Sequence, residues 1–181
     1  MSEKISVVCL SLLLVLSFFS CSHGSADAYA SVLERSFSCK VSVERDDTQY
    51  SALVVLYARS DSEQSSHNRD GSIVYSSPES LSDITAYRTR GVVTVDVSGV
   101  IVTPSEKVGE RYVSLLDMFD LDPSELVESR VDKTGERDMI RLSFFHSDKN
   151  YTLFLDESTG APVLLEGDGL RVEISDFIYI A

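Results

Sequence analysis

From Phe37 to the C-terminus the chain alternates in steps of two, and turn-forming residues interrupt that alternation at short intervals. In Phe37–Arg45 the apolar positions Phe37, Cys39, Val41 and Val43 are separated by Ser38, Lys40, Ser42 and Glu44. That pattern belongs to a strand with one buried and one wet face. Residues 50–59 are apolar on both sides through their middle, which suits a strand central in a sheet. Further candidates are 72–76, 84–90, 92–97, 100–103, 126–132, 138–146, 150–156, 161–166 and 170–180. Between them sit Asp46-Asp47, Ser98-Gly99, Ser147-Asp148-Lys149, Ser158-Thr159-Gly160 and Gly167-Asp168-Gly169, all turn chemistry. Two segments break the period. Residues 26–36 place Ala28, Val32 and Leu33 on one helical face, and residues 110–121 place Tyr112, Leu115, Leu116 and Phe119 at i, i+3, i+4 and i+7. Asp122-Pro123 ends the second helix. Strands in this succession, joined by short turns, make an antiparallel meander, so the expected class is α+β. The sheet must curve to bury its apolar face, and a short N-terminal helix and a central helix are the available cover.

The start of the chain is of another kind. Lys4 precedes an uncharged, mostly apolar run, residues 5–19, and Ser20-Cys21 follows. A basic start, an apolar core and a small residue before the cut make a secretory signal peptide. The cysteine directly after Ser20 resembles a bacterial lipoprotein signal, in which Cys21 is acylated and becomes the new N-terminus. Each buried methylene of such chains contributes about 0.8 kcal/mol, so two or three chains hold a domain to a membrane. Phe18-Phe19-Ser20-Cys21 lacks the usual leucine of that signal, and Ala26-Asp27-Ala28 offers an alternative cut for plain secretion. A spanning helix needs about 20 apolar residues, more than this run has. The expected division is a leader over 1–20, a tether over 21–25 and one domain over 26–181, on the extracytoplasmic side of a bacterial membrane. Residues 60–71 are polar and read as an exposed loop.

Charge and cysteine content narrow the classes. Lys plus Arg number 16 against 29 for Asp plus Glu, a net charge of −13. Nucleic acid and anionic lipid surfaces both need a basic patch, so neither is an expected partner. Of three cysteines, Cys9 leaves with the leader and Cys21 is the acylation site. Cys39 stands alone on the apolar face of a strand, where it forms no disulfide and is an inert thiol.

Catalytic patterns are absent from the sequence. His23, His67 and His146 have no zinc spacing to Cys, Asp or Glu, and there is no H-E-x-x-H, no G-x-S-x-G and no phosphate loop. Asp117, Asp120, Asp122 and Glu125 cluster at the end of the central helix, but the glycine of a calcium loop is missing. They read as a solvated helix end. Asp176 is the one acid on the face of Val172, Ile174, Ile178 and Ile180. It is either a buried carboxylate or the mark of a bulge or bend, and the bulge fits better. No enzyme activity, cofactor or metal is expected.

The segment Tyr151-Thr-Leu-Phe-Leu-Asp-Glu-Ser-Thr-Gly-Ala-Pro-Val-Leu-Leu-Glu166 resembles the strand, Asp-x-x-Thr-Gly-x-Pro, strand hairpin of LolA/LolB-like periplasmic lipoprotein carriers. Sigma-factor regulators of the RseB type share that fold. Tyr75-Ser-Ser-Pro-Glu-Ser-Leu81 is similar to the step after an early strand in such proteins. The resemblance runs along nearly the whole mature chain. It implies a half-open β-barrel whose concave, helix-covered side holds acyl chains. No residue here is assigned as the carriers' lid-locking arginine. The first functional expectation is a membrane-anchored domain that binds a lipid, an acyl chain or another hydrophobic ligand, with a place in lipoprotein or lipid trafficking. Its lining would be Val41, Val43, Val54, Leu56, Val93, Val95, Leu115, Phe119, Phe144, Leu153 and Leu155. The same residues serve equally as a filled core. The alternative is a cell-envelope module that binds a protein partner, or senses, without a ligand cavity.

Overall fold

The computed structural model describes residues 23–58, 69–134 and 137–180. The leader, Cys21 and most of the expected loop over 60–71 lie outside them. Eleven strands form one antiparallel sheet. They are β1 (Phe37–Arg45), β2 (Thr48–Leu56), β3 (Gly71–Ser77), β4 (Ile84–Thr89), β5 (Val92–Val97), β6 (Val100–Val102), β7 (Leu126–Thr134), β8 (Arg137–His146), β9 (Lys149–Asp156), β10 (Pro162–Gly167) and β11 (Leu170–Tyr179). Helix α1 (His23–Leu33) precedes them and α2 (Glu106–Met118) joins β6 to β7. The sheet order is β6-β5-β4-β3-β2-β1-β11-β10-β9-β8-β7, and the sheet is not closed. Among the described residues two short helices stand against eleven strands, so the architecture is mostly β. Among the described residues no helix is long and apolar enough to cross a membrane.

Every neighbouring pair but one is a sequential hairpin. Four of the turns hold two consecutive residues at positive φ: Arg90-Gly91, Ser98-Gly99, Ser147-Asp148 and Asp168-Gly169. Their backbone twist matches that of the flanking strands. The exception is β1 against β11, which places the two ends of the domain side by side in mid-sheet. The chain steps outward from β1 to the β6 edge. It crosses through α2 to the far edge at β7, then steps back to β11.

Cross-strand register gathers one apolar face. Phe37 stands opposite Leu56, Cys39 opposite Val54, Val41 opposite Ala52 and Ile174. Further out, Ile73 faces Ala86, Ala86 faces Val95, and Leu153 faces both Leu142 and Leu165. On α2 the buried residues are Gly109, Val113, Leu115 and Leu116, with Phe119 just after it. The helix begins at Glu106 rather than 110 because its first turn is exposed and therefore carries no apolar period. Helix α1 likewise begins at His23, inside the expected tether. Two glycines let α2 lie close to the sheet. A Cβ on Gly109 would stand 3.1 Å from that of Val93, and one on Gly71 would stand 2.5 Å from the Val55 carbonyl oxygen and 3.4 Å from Leu116. Helix α1 docks at the other side, where the Tyr29 ring packs 5.1 Å from Phe144 and its hydroxyl donates to the Leu121 carbonyl at 3.0 Å.

One expectation about facing is corrected. Asp176 has φ 49, and the β1–β11 register slips there: Lys40 pairs with Ser175 but Ser38 with Ile178. The extra residue is a bulge, and past it the side chains change face. Phe177 and Tyr179 pack against the core, while Ile178 and Ile180, expected on the apolar face, are exposed. Asp176 itself points to solvent, with its carboxylate 2.8 Å from Lys40 Nζ.

Candidate functional site

The structure brings all eleven expected lining residues into one cluster. Ten of them, Val41, Val43, Val54, Leu56, Val95, Leu115, Phe119, Phe144, Leu153 and Leu155, have 0–3% of their surface accessible. Val93 is half-buried against the same cluster. A side chain with so little accessible surface has atoms against it on every side. The Phe37 ring, 5.8 Å from Phe119 and 4.9 Å from Phe177, fills the middle. In this state the face is occupied by its own side chains.

Two open clefts border that core. The first, about 890 Å³, lies between α2 and the β4–β5 hairpin. Val92, Val93, Pro104 and Val113 give it apolar walls, and Glu106, Glu110 and Lys149 lie at its rim. Arg88 sits at its base, 3% exposed. Its Nε donates to the Arg69 carbonyl at 2.7 Å, Nη1 donates to Asp117 on α2, and Nη2 has no partner among the described residues. The second, about 660 Å³, crosses the opposite face of the sheet. Ser42, Ser51, Ser76 and Ser175 are short enough to leave a trough there, flanked by Leu53 and Leu164.

Sequence reasoning passed over two buried arginines. Arg69 fell in the polar loop, yet it is 2% exposed. Its guanidinium donates to the carbonyls of Tyr57 at 2.8 Å and Arg35 at 2.7 Å, and its backbone N–H donates to the Asp120 carboxylate at 3.2 Å. Arg88 had a legible signal, because it shares the parity of Ile84 and Ala86 on an otherwise apolar face. The four acids at and beyond the end of α2 are parcelled out to separate partners. Asp117 takes Arg88, Asp120 takes Arg69, Asp122 accepts from the Ser124 N–H at 2.8 Å, and Glu125 lies 2.8 Å from His146 Nδ1. Cys39 is buried, and burial pushes its thiol up to about 12, far from a nucleophile's range. The Asp156 turn of the recognised hairpin is well made: its carboxylate accepts from the Ser158 N–H at 3.1 Å and from the Thr159 N–H and hydroxyl at 3.0 Å each.

No protein-family model and no curated protein sequence matches the chain. Solved structures do. The fold is similar to MucB in the MucA/MucB complex of Pseudomonas aeruginosa, with 14% identity and TM-score 0.51 over 87% of this chain and 57% of that one. It is similar to a second crystal structure of MucB, with 17% identity and TM-score 0.50 over 87% and 60%. An uncharacterized conserved protein from Thermus thermophilus aligns with 13% identity and TM-score 0.52 over 86% and 85%. The chain spans less than two thirds of the MucB chains. These likenesses concern the fold alone, which is similar to that of MucB.

Proposed function

From a LolA/RseB-like fold, we propose that this chain is a non-catalytic binding module of the bacterial cell envelope that engages a partner polypeptide. One observation carries the reading: the face on which a carrier of this fold would enclose acyl chains is packed by its own residues, ten of them 0–3% exposed. Recognition then falls to surfaces outside the core. MucB, of the same fold, has been solved in complex with another protein, MucA, which supports a protein partner. Acylation at Cys21 tethers the module to the membrane after the leader is removed, and the polar, acidic domain stands free beside it.

A second reading has its own support. The cleft beside α2 is polar over most of its lining but has an apolar strip of Val92, Val93, Pro104 and Val113, and a lipid or acyl chain would enter along that strip and part the helix from β5. The eleven clustered residues would then line the opened space, with the helices as cover of a half-open barrel.

One experiment separates the two. Photo-cross-linking from the cleft rim in intact envelopes captures a defined polypeptide on the first reading. Native mass spectrometry after mild extraction finds no bound lipid, and the protein takes up no fluorescent fatty acid. Stoichiometric lipid with no cross-linked protein would reverse the order. Fatty-acid labelling that survives Cys21→Ser would refute the anchor.

A further inference from the structure

Strand β6 ends the sheet, and all of it is exposed: Val100 63%, Ile101 69% and Val102 47%. The Ser98-Gly99 loop joins it to β5 with two residues, both at positive φ, and Val97 opposite Val100. In such a hairpin the residues flanking the turn exchange both backbone bonds, and bonded and non-bonded pairs then alternate. Val100 and Val102 therefore bond to Val97 and Val95, and the N–H and C=O of Ile101 point outward from the open edge. Register also puts Val100 and Val102 on the core face, in line with Val95, Ala86 and Ile73. Helix α2 packs against β3, β4 and β5. Beyond it the core face runs on over Val97, itself 42% exposed, to Val100 and Val102.

This edge is unfinished in two ways at once. Its backbone groups suit another extended chain, and its face suits apolar side chains at every second position. The far edge at β7 carries Glu128, Arg130 and Asp132, charges that keep an edge from pairing; β6 has none.

Electrostatics select the occupant. Asp96 stands opposite Ile101. In the adjoining cleft Glu106 and Glu110 form no ion pair among the described residues, while Lys149 is held by Asp168 and Arg88 by Asp117. The unbalanced charge of the cleft lining is therefore negative, the exposed Lys107 and Arg111 of α2 lying outside that lining, and the whole chain carries −13. A second copy would bring like charge to like charge.

The geometry points to β6 as the docking edge for an extended basic segment of a partner protein, one with apolar residues at alternate positions and Lys or Arg on either side. The added strand pairs with the outward N–H and C=O of Ile101, lays its apolar side chains over Val100 and Val102, and sets its cations near Asp96, Glu106 and Glu110. This rests on the reading of a polypeptide partner and names the edge that takes it.

The test uses the mature domain and two fluorescent peptides, Lys-Lys-Val-Thr-Val-Thr-Val-Lys-Lys and its twin with glutamate for every lysine, followed by anisotropy. The basic peptide binds and weakens with added salt, and the acidic twin is weaker by at least about tenfold. Ile101→Pro, which deletes the outward N–H, lowers affinity by about tenfold or more. The double change Val100→Thr and Val102→Thr, which keeps strand propensity, lowers it severalfold; circular dichroism checks that each variant is folded. No binding of the basic peptide up to about 1 mM, or equal binding by folded Ile101→Pro, overturns the proposal. The envelope cross-link tells the two claims apart. A partner still captured by Ile101→Pro removes the β6 edge alone, whereas a wild-type protein that captures none removes the partner reading beneath it.

Discussion

Arg88 on β4 donates to Asp117 on α2, an ion pair that is 3% exposed on one side and 45% on the other and ties the sheet to its central helix. The asymmetry sets the outcome of mutation. Asp117→Ala leaves a buried guanidinium with one fewer acceptor and should lower unfolding free energy by about 1–3 kcal/mol in urea titration. Arg88→Met removes the buried charge itself and leaves Asp117 to solvent, so it should cost less than Asp117→Ala. The reverse ranking would show that the pair does not work this way.

Leu116 is fully buried, and Gly71 holds the space beneath it. Leu116→Ala should cost about 2–5 kcal/mol, as in any packed core. Gly71→Ala should cost about 1–3 kcal/mol, because its Cβ meets the backbone oxygen of Val55 rather than a side chain that can yield. Chemical denaturation reads both. A cost near zero for Leu116→Ala would mean that α2 is not seated as described.

The bulge at Asp176 demands a left-handed backbone, φ 49. Asp176→Gly should be neutral or mildly stabilising, since glycine visits that region freely. Asp176→Val should lose about 1–2 kcal/mol. Loss of the Lys40 contact matters little, because both side chains are exposed. Thermal melts of the two variants should therefore move in opposite directions or differ clearly in size.

Hydrogen bonds from the Ser158 and Thr159 side chains, then from their backbone N–H groups, hold the Asp156 carboxyl below its ordinary value of 3.8. A carboxyl with a lower pKa folded than unfolded stabilises above the unfolded pKa and loses that contribution as pH falls through the folded one. The stability gap between wild type and Asp156→Ala should thus be full at neutral pH and close below pH 3.8. The group is exposed, so the gap is small. A gap that widens in acid would contradict the assigned bonds.

Cys39 should ignore a thiol reagent at mildly alkaline pH in the folded mature domain with Cys21→Ser, and react fully in urea. Rapid reaction without denaturant would show that the sheet centre opens easily.

Strand positions, hairpin turns and the helical face of Leu115, Leu116 and Phe119 could be read along the chain because each depends on neighbours a few residues away. The same locality explains what went unread. Arg69 looked like loop polarity because its carbonyl partners, Arg35 and Tyr57, come from segments 34 and 12 residues distant. Ile178 looked buried because alternation has no memory of a bulge, which exists only against the register of β1.

What the sequence determined by itself was the list of strands, their punctuation and the acidic character of the domain. Tertiary structure alone decided that β1 lies beside β11, that α2 crosses from one edge to the other, that eleven scattered apolar residues close on one another, and that β6 is left uncovered. Pairing partners, filling and exposed edges are set by contacts between residues far apart in the chain, which no local period encodes.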